Sequence, residues 1–158
     1  MACACASVRE QKRLKRAGSF VELALLFFYR NRYEEAMPEK ELLEHFNVSL
    51  CEFDSSQWPR DGFLDPVNRV VYINRDLPAE RRLKVLLHEL GHLEHDPKHY
   101  ERLREKYEAQ ANRNMIRGLL ENESLDDFNY VRFMEKYNLT TICDETFVKN
   151  EYLKMMRN

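Results

Sequence analysis

The segment HELGH at residues 88–92 constrains this chain more than any other stretch of its sequence. Its two histidines stand four residues apart, and on an α-helix that spacing places both imidazoles on one side, about 6 Å apart. Two imidazoles at this separation can hold one zinc ion. Glu89 lies about 100° further round the helix, where a carboxylate can take a proton from a metal-activated water. The segment therefore predicts a helix with His88 and His92 as zinc ligands and Glu89 as a general base.

The leucines around this segment predict how the helix is oriented. Four of them recur on the face opposite the two histidines, so that the leucines anchor the helix while the histidines face a cleft. These leucines are Leu83, Leu86, Leu87 and Leu90. The helix is expected to run to His95, because Asp96 precedes a proline. Gly91 costs roughly 1 kcal/mol relative to alanine inside a helix, which indicates a close backbone contact there.

A catalytic zinc ion takes three protein ligands and a water, so the sequence must supply a third donor. Glu108 is the preferred candidate, because it begins a stripe along one face of the next helix, predicted from about Lys98 to Leu120. The stripe consists of Glu108, Asn112, Met115 and Leu119. A buried carboxylate without a partner is costly, and a metal ion removes that cost. Asn112, one turn further on, can orient Glu108 or a ligand histidine.

Two further histidines compete with Glu108 for the place of the third ligand. His95 and His99 are also near the motif, although His95 would have to reach back along its own helix and His99 follows the break at Pro97. Glu108 could instead form a surface ion pair with Arg104, one turn earlier. The sequence leaves these alternatives open.

The rest of the chain predicts one α+β domain. Between Val48 and Asn74 the apolar pattern changes to that of short strands with turn residues between them, which indicates a small antiparallel sheet. The predicted fold is therefore mainly helical and zincin-like, with this sheet and an active-site helix carrying the HExxH motif. We expect a basic, solvated arm that can remain disordered over 1–17, a metallopeptidase domain over 18–122 and a C-terminal helical extension packed on it over 123–158.

Composition excludes several classes of function. The formal charge of -2 gives no general case for nucleic-acid binding, and no apolar run approaches the roughly 20 residues of a membrane span. The N-terminus lacks the apolar core of a secretory signal, so we expect a cytoplasmic protein. The cysteines are expected to be reduced, with a metal site at Cys3 and Cys5 as the alternative.

Three segments together resemble the ImmA/IrrE family of zinc metallo-endopeptidases, notably its phage and mobile-element members. They are RVVYIN at 69–74, VLLHELGHLEHD at 85–96 and YEAQANRNMIRGLL at 107–120. The resemblance extends from Val48 to Leu120 and joins HELGH to a downstream E-x-x-A-N segment. Many members also carry Glu immediately before that Ala, where this chain has Gln110.

The resemblance implies one zinc ion on His88, His92 and Glu108, with Glu89 as the catalytic glutamate. It also implies a protein substrate, a helix-turn-helix repressor whose cleavage releases the genes of a prophage or conjugative element. We expect the substrate to pair by strand addition with Val70, Val71, Tyr72, Ile73 and Asn74. The alternative is a non-catalytic regulatory protein that holds a transcription factor or DNA and has a structural or degenerate metal site.

Overall fold

The computed structural model of the chain describes residues 39–124 and 128–157. The predictions for the basic arm and for Cys3 and Cys5 lie outside these residues. Within them, Cys51 and Cys143 are free thiols. The helices are α1 (Glu39–Phe46), α2 (Ala79–Leu90), α3 (Tyr100–Glu121), α4 (Tyr130–Lys136) and α5 (Glu145–Met156), and the strands are β1 (Ser49–Phe53), β2 (Gly62–Asp65) and β3 (Val70–Asn74).

The α+β fold class is confirmed, but the sheet is mixed rather than wholly antiparallel. Its strand order is β1-β3-β2, so β3 lies in the centre, parallel to β1 and antiparallel to β2. The hairpin between β2 and β3 turns at Asp65, whose carboxylate accepts the backbone N–H groups of Val67 and Asn68. The antiparallel prediction failed because β3 inserts between β1 and β2, and turn residues do not specify that insertion.

Helix α2 packs between the sheet and α3, and its leucines form the centre of the core. Leu86, Leu87 and Leu90 are at most 1% exposed, as the predicted orientation requires. The expected continuation to His95 is wrong, because α2 ends at Leu90. Beyond it the backbone bonds tighten from i−4 to i−3, with His92 N–H donating to the carbonyl of Glu89 at 3.0 Å.

Helix α3 supplies the other wall of the core. It starts two residues later than expected, because Pro97–His99 form a 3₁₀ turn capped by the carboxylate of Asp96. Along the predicted stripe, Met115 and Leu119 are buried in the core, whereas Glu108 and Asn112 are only partly buried at the end nearest α2. The stripe therefore runs from the core to a partly exposed position.

The C-terminal helices complete the described part of the chain. Helix α4 is capped by Asn129, which accepts the N–H of Arg132. Helix α5 is capped by Asp144, which accepts the N–H of Phe147. It contacts α3 through Glu151, which is 1% exposed and accepts a 2.7 Å hydrogen bond from Arg117. Among the described helices, none has the length and apolar character needed to cross a membrane.

Candidate metal centre

Three partly buried side chains converge where α2 and its following turn meet α3. His88 comes from the last turn of α2, His92 from the tightened turn after it, and Glu108 from α3. Their donor atoms all lie within 4.8 Å of one another. The two imidazole Nε2 atoms are 3.1 Å apart. Glu108 places one oxygen 3.4 Å from His88 Nε2 and the other 3.7 Å from His92 Nε2.

These separations are compatible with a metal ion. Ligands about 2.0–2.1 Å from zinc at tetrahedral angles lie about 3.3 Å from one another. The two imidazole Nε2 atoms are near that distance, and Glu108 approaches each of them with a different oxygen. Burial lowers the pKa of His88. Burial, with the neighbouring His88, lowers the pKa of His92 to about 4. Both rings are therefore neutral at pH 7, and only a neutral imidazole has a lone pair to offer a metal.

A close approach of backbones holds α2 and α3 in this arrangement. Gly91 lies directly against Ala111, and a Cβ at Gly91 would stand 2.9 Å from the Ala111 Cα. Gly91 follows His88 by three residues, and Ala111 follows Glu108 by three. The contact expected from Gly91 is therefore present, and it sets the distance between the elements that carry the candidate ligands.

Polar groups around the cluster orient its members. The Tyr100 hydroxyl donates a 2.5 Å hydrogen bond to Glu108, and this bond is the main cause that raises the pKa of Tyr100 to about 12. A side-chain hydrogen bond between Asn112 and His88 raises the pKa of His88, whereas burial lowers it. Asn112 therefore lies where an orienting residue was expected.

The alternative third ligands are placed differently. His99 is exposed, and its Nδ1 lies 3.0 Å from Asp96. His95 is buried and contacts His92, but it does not belong to the metal-compatible group. The surface ion pair considered for Glu108 is not formed, because Arg104 pairs with Glu101 at 2.7 Å.

A known family of peptidases matches most of the chain. Residues 27–145 match the model of the Peptidase M78 family, described as the IrrE N-terminal-like domain, over more than half of the chain. The chain belongs to the Peptidase M78 family. No curated protein and no solved structure matches it. Membership indicates a metallopeptidase in general terms, and the cluster of His88, His92 and Glu108 is compatible with the metal ion of such a protein.

Glu89 of this Peptidase M78 member lies beside the cluster but is not part of it. Burial raises the pKa of Glu89 to about 7, and the negative charge of Glu108 adds to the shift. A hydrogen bond with the backbone of Leu64 opposes it. The carboxylate thus interacts with Glu108 of the candidate metal centre on one side and with strand β2 on the other.

The contact with Leu64 corrects the expected substrate strand. Val70–Asn74 form β3, whose backbone is paired with β1 on one side and β2 on the other. No edge of β3 is open to strand addition, so the reason for assigning the substrate to Val70, Val71, Tyr72, Ile73 and Asn74 is wrong. In the described part of the chain β2 pairs only with β3. Its outer edge, beside Glu89, is paired with no other strand of that part.

Sequence reasoning named the three residues that the structure brings together, but it missed the residues around them. Leu64 carries no signal, because its contact with Glu89 is made by the backbone and depends on how the sheet meets α2. The sequence offers His95 only as an alternative ligand, and no pattern marks Tyr100, eight residues before Glu108, as its partner.

Proposed function

We propose that this Peptidase M78 member is a zinc-dependent endopeptidase, with His88, His92 and Glu108 as metal ligands and Glu89 as general base. The observation that carries the proposal is the convergence of two imidazole nitrogens and a carboxylate oxygen within 4.8 Å of one another, with the carboxylate of Glu89 beside them. Three protein ligands with one open position are typical of catalytic zinc, whereas structural sites are closed by four.

The chain's own residues account for the proton transfers of peptide hydrolysis. A zinc ion would supply Lewis acidity and lower the pKa of its bound water to about 7. Glu89 accepts a proton from the attacking water and returns it to the nitrogen of the leaving amine. Tyr100 holds Glu108 by its 2.5 Å hydrogen bond, so that the carboxylate keeps its direction toward the two histidines.

The outer edge of β2 supports binding of an extended polypeptide. Asn74 N–H donates to the carbonyl of Asp61 at 2.8 Å. Along β2, every second residue counted from Asp61 therefore points its backbone N–H and C=O groups toward β3. Gly62 and Leu64 then point their backbone groups away from β3. A substrate strand added there would pass beside Glu89. This arrangement supports a protein or peptide substrate rather than a small molecule.

For the substrate itself, we propose a helix-turn-helix repressor that controls a prophage or conjugative element. The support is the resemblance of HELGH and E-x-x-A-N to ImmA/IrrE endopeptidases, together with membership of the family. The experiment is to incubate the purified, zinc-loaded protein with the repressor encoded beside its gene, and to detect fragments by mass spectrometry. Absence of cleavage of that repressor, with cleavage of another protein, would remove this substrate and leave the endopeptidase proposal in place.

Two carboxylate variants test the catalytic assignment. Glu89→Gln keeps the shape but cannot accept a proton, so zinc should remain while cleavage falls by about 10²–10⁴. Glu108→Gln should instead weaken zinc binding, because a neutral amide is a poorer ligand than a carboxylate. Glu105→Gln, the same change at an exposed position of α3, is the matched control and should alter neither property. Zinc retention in Glu108→Gln at wild-type affinity contradicts the ligand assignment.

The same measurements separate the enzyme from the non-catalytic alternative. A regulatory protein with a structural metal would lose folding when the metal is removed, and Glu89→Gln would leave its partner binding and all its activity unchanged. The enzyme should keep its helical fold after treatment with a chelator, because Leu86 and Leu87 of α2 and Leu119 of α3 are buried in a core that contains no metal ligand. Circular dichroism before and after chelation distinguishes the two.

A further inference from the structure

His95 is a buried histidine that contacts a candidate ligand from the side away from the metal. His95 is 8% exposed, and its Nδ1 lies 3.0 Å from the Nδ1 of His92. The ring is stacked on Tyr107, with centroids 4.1 Å apart and planes within 5°. This stacking fixes the plane of the His95 ring and therefore the direction of its Nδ1.

The direction of the hydrogen bond between the two rings follows from proton counting. His92 turns its Nε2 toward His88 and Glu108, so as a metal ligand it uses the Nε2 lone pair. A neutral imidazole has one N–H, and that of His92 must then be on Nδ1. Nδ1 donates, so the facing nitrogen of His95 must accept. His95 must therefore be neutral, with its own proton on Nε2.

The surroundings of His95 agree with a neutral ring. Its Nε2 is buried and has no hydrogen-bond partner in the described residues, so no acceptor at this nitrogen offsets the positive charge of a doubly protonated ring. The Gln110 side chain interacts with the ring, but it does not reach Nε2 within hydrogen-bond distance.

We propose that His95 is the positioning residue of His92, which accepts the Nδ1–H of His92 and so holds its Nε2 lone pair toward the metal. The proposal deepens the proposed function and rests on it, because it requires His92 to be a metal ligand. Metal-binding histidines commonly use the second ring nitrogen to donate to a carboxylate or carbonyl group. Here that acceptor is a second imidazole, held in place by stacking on Tyr107.

A matched pair of substitutions separates the acceptor from the volume of the side chain. His95→Asn leaves an acceptor oxygen near the place of Nδ1, whereas His95→Leu has almost the same shape and no acceptor. We expect His95→Leu to weaken zinc binding by about 10–100-fold and His95→Asn to retain most of the wild-type affinity. His99→Leu, at an exposed histidine, is the control and should bind zinc as the wild type does.

The affinities are measured by competition with a chromophoric chelator, and folding is checked by circular dichroism. Wild-type affinity in His95→Leu overturns the inference, and so does equal weakening in His95→Asn and His95→Leu. Should His95→Leu fail to fold, ¹⁵N NMR of the zinc-loaded wild type decides the same question. The expected spectrum has His92 protonated on Nδ1 and His95 on Nε2, and a proton on Nδ1 of His95 overturns the inference.

These outcomes also distinguish this inference from the proposed function. A wild-type protein that takes up no zinc overturns both. A wild type that binds zinc and cleaves its substrate, together with a His95→Leu variant that binds zinc equally well, overturns only the role of His95.

Discussion

Replacing Gly91 by alanine should move apart the two elements that carry the candidate metal ligands. The backbone at Gly91 has φ −60° and ψ −20°, which alanine adopts without strain. The effect therefore comes from contact alone. The new Cβ would lie 2.9 Å from the Cα of Ala111 and 3.0 Å from the carbonyl oxygen of His88. Carbon atoms pack at about 3.5–4.0 Å, so the two backbones must separate by at least about 0.6 Å.

Two consequences follow from this displacement. Overpacking lowers the free energy of unfolding by about 1–3 kcal/mol. Replacing a glycine also restricts the unfolded chain, which raises the free energy of unfolding by about 0.4–1 kcal/mol. The net fall should be about 1–2 kcal/mol. Zinc sites hold their ligand distances within about 0.2 Å. A shift of the size required separates Glu108 from His88 and His92, and zinc affinity should fall at least about tenfold, as for the loss of a supporting contact.

Gly118→Ala is the matched control in the same helix interface. Its Cβ would meet the terminal carbons of Leu87, the nearest at 3.1 Å, and these can move by bond rotation where a backbone cannot. Alanine also favours a helix interior by up to about 1 kcal/mol relative to glycine. Stability should stay near that of the wild type, and zinc affinity should not change.

Urea unfolding in excess chelator measures the packing cost without the contribution of bound metal, and chelator competition measures the zinc affinity. The reasoning is refuted if Gly91→Ala unfolds at the wild-type urea concentration and binds zinc as tightly as the wild type. Equal losses in Gly91→Ala and Gly118→Ala would refute it as well, because the close approach at Ala111 would then have no special role.

Two further predictions concern buried carboxylates outside the candidate metal centre. Burial raises the pKa of Glu121 to about 8, far above about 4.3 in an unfolded chain, so wild-type stability should fall as pH rises from about 4 to 8. Glu121→Gln removes this loss and should stabilise the protein at pH 7 by up to about 3 kcal/mol, but little at pH 4, as measured by urea unfolding at both values. Arg117→Met leaves the charge of Glu151, which is 1% exposed, with less compensation and should cost about 3 kcal/mol. Adding Glu151→Met should recover most of that loss in a double-mutant cycle, and an equally unstable double variant would contradict the prediction.

Local spacing was sufficient to select the candidate ligands. The i, i+4 interval of His88 and His92 and the repeating stripe that begins at Glu108 follow from helical geometry, which depends on neighbouring residues along the chain. The leucines that orient α2 follow from the same periodicity. For this reason the sequence alone predicted α2 and α3, the leucine face that α2 buries and the three residues that the structure brings together.

Tertiary structure alone determined what surrounds that group. Whether β3 or β2 forms an edge depends on which strands pair, and pairing joins residues far apart in sequence, such as Ser49 and Val70. The end of α2 at Leu90 brings His92 and His95 together through a tightened turn that periodicity does not predict. The contact of Gly91 with Ala111, and of Glu89 with the edge of β2, likewise joins separate elements. Side-chain spacing along the chain selects the candidate ligands. The distances between these ligands, and the unpaired edge of β2 beside Glu89, depend on packing between elements.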